Sequence, residues 1–200
     1  MIEVTVACVT GAALGATLSM ARPAWRLRAA RRRRAATFVF ADLVGYTALT
    51  ERRGDYSGAR VAAEFCRMMT RLCREHDARY VKSMGDGAMI WAPNAGQAMA
   101  LAARTVEEVG SRDDLLPVRV GAHTGLAVQR DGDWYGNAVN LAARLAREAR
   151  PNEALVSGST KAAADAEHHD SLTLHGEVAL RGLASPVVVW RLQPGGAEAN

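Results

Sequence analysis

Apolar residues recur at helical spacing in three stretches of the chain. In the first, Val61, Phe65 and Leu72 fall on one face of a helix, and polar residues fill the opposite face. This periodicity predicts three amphipathic helices, over about residues 57–76, 95–109 and 137–149. Each helix would bury one face against a common core.

Short strand-forming runs fill the intervals between these helices. Thr37 to Ala41 is a largely apolar run that predicts a buried strand. Further strands are predicted at 79–84, 88–92, 116–128, 153–156, 172–174 and 187–192. Gly85, Asp86 and Gly87 have the composition of a hairpin turn between the second and third strands. The order β-α-β-β-α-β, with strands added at the end, predicts an α+β fold with a ferredoxin-like split βαβ core and an antiparallel sheet.

Composition places the chain among globular proteins and confines its basic character to one segment. Of its 200 residues 49% are hydrophobic, which suits one domain with its own core. Seven of the 25 basic residues are arginines between positions 22 and 34, which leaves 18 basic against 21 acidic residues elsewhere. A mildly acidic body argues against specific nucleic-acid binding. Three cysteines, an odd and sparse set, predict a reducing compartment.

The N-terminal segment differs from the rest of the chain. Residues 4–21 carry no charge and are about long enough to cross a bilayer, which takes roughly 17–25 residues. Small residues recur there at every fourth position, a pattern typical of paired membrane helices: Ala7, Gly11, Gly15 and Ser19. The arginines that follow would hold the remainder in the cytoplasm. The alternative is a soluble extension of small residues.

Two aspartates lie where strand-forming residues end. Asp42 follows the first predicted strand, and Asp86 lies at the tip of the predicted hairpin. These strands are neighbours in a split βαβ fold, so the two carboxylates would repel each other unless a cation lies between them. Mg²⁺ binds through one or two carboxylates together with substrate phosphates. Each aspartate alone is common in turns and helix caps, but together they predict a metal–nucleotide site.

The segment that follows Asp42 suits phosphate groups. It enters a turn or helix, where backbone amides would face an anion. Gly45 gives this segment conformational freedom, and Thr47 is a candidate helix cap. We therefore expect substrate contacts from Leu43, Val44, Gly45, Tyr46 and Thr47.

Four blocks of the sequence resemble the class III adenylate and guanylate cyclase catalytic domain. They are FADLVGYT, KSMGDG, VGAHTG and GNAVNLAARL, and they occur in that family's order over about residues 37–192. Four ordered blocks are a specific signal, unlike a lone glycine motif. The resemblance implies a lyase that converts ATP to 3′,5′-cyclic AMP and pyrophosphate.

The resemblance also implies the metal and base contacts. Asp42 and Asp86 match the two aspartates that bind Mg²⁺ or Mn²⁺, two ions per active site. Lys82 and Asp133 match the pair that recognises the purine. An ammonium and a carboxylate complement adenine, which offers an acceptor at N1 and a donor at its 6-amino group. Guanine reverses this pattern, so the pair favours ATP over GTP.

Three further residues match positions that act on the ribose and the phosphates. Asn140 matches the asparagine that orients the ribose, and Arg144 matches the arginine that stabilises the transition state. Arg181 matches, more weakly, a basic residue that contacts the phosphates. His123 lies in a family block at a strand end, where a structural role is expected of it.

In the family, the metal-binding aspartates and the remaining site residues come from different subunits, so the resemblance implies a homodimer with shared active sites. The segment between Gly125 and Gly136 is shorter than the arm that clasps the partner in many relatives. We expect an anchor over residues 1–21, an Arg-rich linker over 22–36, a cyclase domain over 37–193 and a flexible tail over 194–200. A catalytically silent cyclase-like module and a guanylate cyclase are the alternatives.

Overall fold

The computed structural model of the chain describes residues 33–193. The anchor and tail expected at the two ends, and almost all of the linker, lie outside the described residues. Among the helices of the described part, none is both long and apolar enough to cross a membrane.

The described residues form one sheet with helices packed against it. The strands are β1 (Arg33–Leu43), β2 (Arg79–Met84), β3 (Gly87–Ala92), β4 (Val118–Arg130), β5 (Asp133–Tyr135), β6 (Glu153–Ser157), β7 (Leu172–Val178) and β8 (Val187–Leu192). The helices are α1 (Tyr46–Arg53), α2 (Asp55–Glu75), α3 (Ala95–Gly110), α4 (Asn137–Glu148) and α5 (Gly158–Ala163), followed by a short 3₁₀ turn (Ala166–His168).

The strand order confirms the predicted fold class. The sheet runs β2-β3-β1-β4-β6-β8-β7, and the strand β5 pairs with β4 outside this path. Its first four strands are antiparallel neighbours in the order of a split βαβ core. The β6 strand extends the sheet by pairing parallel to β4.

Side chains of β1 alternate between two hydrophobic clusters. Val39, Ala41 and Leu43 join the larger cluster, which packs under α2 and α3. Phe38 and Phe40 point to the opposite face and pack with residues of β5 and α4. Because side chains of a strand alternate, Asp42 projects from the same face as the two phenylalanines.

Close packing on β4 sets the position of α4. A Cβ atom built on Gly121 would lie 2.1 Å from the backbone nitrogen of Ala146 and 2.5 Å from the carbonyl oxygen of Ala142. Only glycine allows the helix to approach the strand this closely. Gly121, the first glycine of the VGAHTG block, therefore determines where the polar face of α4 lies.

Several elements differ from the sequence predictions. The helix predicted from 57 begins at Asp55, and the separate short helix α1 precedes it. The β5 strand and α5 were not predicted, because three residues and six residues give too little periodicity to detect. The strand predicted over 172–174 extends to Val178.

We predict that Gly121→Ala destabilises the protein by about 1–3 kcal/mol, because the added methyl group overlaps the backbone of α4. Urea or thermal unfolding would measure the loss. Gly110→Ala is the matched control, since a Cβ atom at Gly110 meets no atom within 4 Å. Equal stability of the two variants would contradict the packing argument.

Candidate active site

The two predicted metal-binding aspartates lie together. Asp42 of β1 is paired in register with Gly87 of β3, so it lies beside the turn that carries Asp86. The Leu43 amide donates to the Asp86 carbonyl oxygen at 3.3 Å, which joins the two chain segments directly. A Cβ atom on Gly87 would lie 3.2 Å from Asp42 Oδ1, so glycine leaves this oxygen accessible.

Burial and a neighbouring like charge both act on the pKa of Asp86. Burial raises the pKa of Asp86, and the negative charge of Asp42 raises that pKa further. Arg119 of β4 acts in the opposite direction, and its Nη2 donates to Asp42 Oδ2 at 3.0 Å. No sequence motif singles out Arg119, although its register opposite Asp42 follows from the β1–β4 pairing.

This donor set fits a divalent cation that is shared with a substrate. The two half-buried carboxylates lie in adjoining chain segments, and among residues 33–193 no group of three or more His, Cys, Asp or Glu side chains could form a closed metal site. Mg²⁺ typically takes one or two carboxylates and completes its shell with water and phosphate oxygens. Asp42 and Asp86 are the residues that would hold such ions.

Two of the five residues expected to contact phosphate, Leu43 and Val44, use their backbone amides within the fold. The Leu43 amide donates to the Asp86 carbonyl oxygen at 3.3 Å, and the Val44 amide donates to the Pro117 carbonyl oxygen at 2.7 Å. Helix α1 begins at Tyr46 after Gly45, which adopts a left-handed conformation and provides no side-chain cap. The hydroxyl of Thr47 therefore does not cap the helix. The amides at the start of α1, those of Gly45, Tyr46 and Thr47, remain suited to an anion.

The predicted purine-recognition pair is formed within one chain. Lys82 Nζ lies 2.5 Å from Asp133 Oδ2, and the other carboxylate oxygen accepts the Trp134 amide at 2.8 Å. The bond with Lys82 lowers the pKa of Asp133, so the carboxylate stays ionised at neutral pH. A register shift in β2 between Tyr80 and Lys82 orients this segment, and Val81 packs on the cluster of Phe38 and Phe40.

The β4–β5 hairpin carries Asp133 back over its own sheet. Trp134 is buried and stacks on Trp91 of β3, with ring centroids 5.8 Å apart. Arg79 Nη2 donates to the Gly132 carbonyl oxygen at 2.7 Å, which ties the hairpin turn to β2. These contacts explain how a short hairpin can place a carboxylate beside Lys82, three strands away from β4 in the sheet order.

Asn140 and Arg144 lie four residues apart on α4, on a face that the core leaves open. Asn140 is exposed and Arg144 is half-buried. A Cβ atom on Gly182 would lie 3.3 Å from Arg144 Nη2, so the turn at Gly182 packs against this guanidinium. The structure thus brings Arg181, which is exposed in the same turn, close to Arg144 in the fold.

His123 has the surroundings of a structural residue. Its Nδ1 lies 2.7 Å from the Ser157 hydroxyl, and burial lowers its pKa to about 4. The ring also lines an open cleft of about 440 Å³ beside the first turn of α4, with Tyr135 and Leu141. This cleft includes neither the two aspartates nor Lys82.

The chain belongs to the adenylate and guanylate cyclase catalytic domain family, whose model matches residues 29–193. It is 32% identical over 173 residues to a pH-sensitive adenylate cyclase of Mycobacterium tuberculosis. That alignment covers 84% of this chain and 43% of the mycobacterial protein. The chain thus spans less than half the length of this curated relative.

Solved structures of cyclases share the fold. A cyclase domain described as adenylate/guanylate cyclase/hydrolase from Silicibacter pomeroyi has a TM-score of 0.72 and 26% identity, covering 81% of this chain and 98% of that chain. An adenylate cyclase from Trypanosoma brucei, solved in its monomeric state, has a TM-score of 0.75 and 24% identity, covering 83% and 91%. The family resemblance noted in the sequence is confirmed.

We predict that His123 makes stability sensitive to mild acid. The folded pKa of about 4 lies below the ordinary value of 6.5, so the unfolded state binds more protons between these pH values. The contribution is present above pH 6.5 and is lost as the pH falls toward 4, by up to about 1.4 kcal/mol per pH unit. Urea unfolding at pH 7 and pH 5 would show a smaller loss in His123→Gln than in the unmodified protein. The exposed His175→Gln is the control, and equal losses in all three proteins would contradict this assignment.

Proposed function

We propose that this chain is the catalytic domain of an adenylate cyclase, which converts ATP to 3′,5′-cyclic AMP and pyrophosphate in a homodimer with shared active sites. The observation that carries the proposal is the Lys82–Asp133 pair, held 2.5 Å apart on the same face of the sheet as Asp42. Family membership supports cyclase chemistry, and this pair supports adenine as the base.

Adenine fits the pair by hydrogen-bond complementarity. The Lys82 ammonium would donate to N1, and the ionised Asp133 carboxylate would accept from the 6-amino group. A guanine would present a donor to the ammonium and an acceptor to the carboxylate. Mismatched polar groups in a closed site cost about 1–3 kcal/mol each, which is enough to favour ATP over GTP.

Negative charge builds up on the phosphate oxygens as the ring closes and pyrophosphate leaves. Asp42 and Asp86 would hold two Mg²⁺ or Mn²⁺ ions. When bound, these ions would activate the ribose 3′ hydroxyl and neutralise the charge of the leaving pyrophosphate. Arg144 offers a planar, permanently charged donor to the phosphoryl oxygens, and Arg181 adds a second positive charge nearby. Asn140, one helical turn before Arg144, would orient the ribose.

A head-to-tail homodimer would complete two equivalent sites. Asp42 and Asp86 of one subunit would face Lys82, Asp133, Asn140 and Arg144 of the other. Apolar side chains exposed on β2, β4 and β5 support a contact surface, among them Met84, Leu126 and Tyr135 at 45%, 59% and 54% exposure. The hairpin is bound to its own sheet, so the dimer would form without an arm that clasps the partner.

We predict that cyclic AMP is the main product when ATP and GTP are offered together with Mn²⁺. Separation of the products by chromatography would measure the ratio. Lys82→Glu combined with Asp133→Lys reverses the donor and acceptor pattern and should lower the preference for ATP by about tenfold or more. Cyclic GMP as the main product of the unmodified protein would identify a guanylate cyclase, and absence of both products would support a silent module.

We predict that Asp42→Ala and Arg144→Ala each lower kcat by about 100-fold or more. An equimolar mixture should recover about a quarter of the original activity, because half of the dimers are mixed and each mixed dimer has one complete site. Asp42→Ala mixed with Asp86→Ala is the matched control and should stay inactive, since both changes remove metal ligands from the same half-site. A mixture that stays inactive although mixed dimers form would rule out shared sites.

A further inference from the structure

Arg119 lies beside the metal-binding pair, and none of the roles described above uses it. It is on β4, in register with Asp42 on one side and with Glu153 of β6 on the other. Its Nη2 donates to Asp42 Oδ2, while its Nε is buried without a partner among the described residues. The side chain is 29% exposed, so the charge is partly removed from water.

The neighbouring charge on β6 is already compensated. The carboxylate of Glu153 accepts Arg191 Nε at 2.5 Å and the Arg150 amide at 2.7 Å. Asp42, by contrast, forms an ion pair with Arg119, and the like charge of Asp86 lies nearby. The Arg119 guanidinium therefore offsets the repulsion between the two aspartates rather than pairing with Glu153.

We propose that Arg119 is the resident counter-ion of the Asp42–Asp86 pair, which keeps this half-site assembled without metal and lowers its affinity for divalent cations. The inference rests on the proposed function only in taking these aspartates as metal ligands. The interaction also selects the oxygen that is offered to a cation. Oδ2 is held by Arg119, and Oδ1 faces the space left open at Gly87.

Two opposite consequences follow from a positive charge in this position. Without metal, Arg119 stabilises the folded protein, because two carboxylates that converge without a counter-charge repel each other. With metal, the same charge repels the incoming cation, so an ion that enters must share Asp42 with the guanidinium. A side chain that only packed against the sheet would produce neither effect.

The first experiment measures binding of Mn²⁺ alone to the 200-residue chain by calorimetry at low salt. Arg119→Met should bind Mn²⁺ roughly five- to tenfold more tightly than the unmodified protein, and the difference should shrink at high salt. Arg119→Lys keeps the charge and should bind as the unmodified protein does. Arg104→Met is the matched control: it removes one charge from a surface pair with Glu107, on a helix under the opposite face of the sheet.

The second experiment measures thermal unfolding without metal, and it does not depend on metal binding. Arg119→Met should lower the Tm, and addition of Asp42→Asn to that variant should recover much of the loss, because one of the two repelling charges is gone. If Arg119→Met does not fold, the double variant should still fold. A double variant that is no more stable than Arg119→Met would overturn the proposal.

The two experiments separate the inference from the proposed function. If the unmodified protein binds Mn²⁺ and Asp42→Asn abolishes this binding, the metal site stands. In that case, equal Mn²⁺ affinity of Arg119→Met and Arg104→Met would overturn the counter-ion role alone. If the unmodified protein binds no Mn²⁺ while the stability cycle behaves as expected, the metal site fails and the counter-ion role remains.

Discussion

The site depends on one constraint of strand register, which sets Asp42 opposite Gly87. This register brings the end of β1 beside the β2–β3 turn, so Asp42 and Asp86 carry like charges in adjoining segments. Glycine at 87 leaves the space in front of Asp42 open, and Arg119 supplies a positive charge that offsets the repulsion. A shift of one residue in β1 would turn Asp42 to the opposite face of the sheet, where the larger hydrophobic cluster lies.

The groups proposed to bind the base and the phosphates depend on different contacts. Gly121 lets α4 lie against β4, which positions Asn140 and Arg144. The stacking of Trp134 on Trp91 holds the short hairpin over its own sheet, and this places Asp133 at Lys82. Each half of the proposed site is therefore organised within one chain. We propose that dimerisation brings two preformed halves together rather than assembling them.

Much of this arrangement could be predicted from the sequence, for identifiable reasons. The helices α2, α3 and α4 have strong apolar periodicity, which allowed the fold class to be predicted. The glycines around Asp86 have the composition of a hairpin turn, which allowed the proximity of Asp42 and Asp86 to be predicted. The register shift before Lys82 has no sequence pattern of its own, and the stacking of Trp134 depends on tertiary contacts. Arg119 was missed because an arginine that alternates within a strand resembles an ordinary solvent-facing residue. The Val44 amide, expected to contact phosphate, instead donates to the Pro117 carbonyl oxygen of a distant loop, a contact that has no sequence pattern.

The most direct test of the shared-site account is a crystal structure of the chain with Mn²⁺ and an ATP analogue that cannot cyclise. Anomalous scattering from manganese locates the metal ions independently of the protein atoms. The account predicts anomalous peaks between Asp42 and Asp86 of one subunit, with the adenine ring between Lys82 and Asp133 of its partner. Metal peaks away from these aspartates, or an adenine bound within the same subunit as its metal ions, would contradict it.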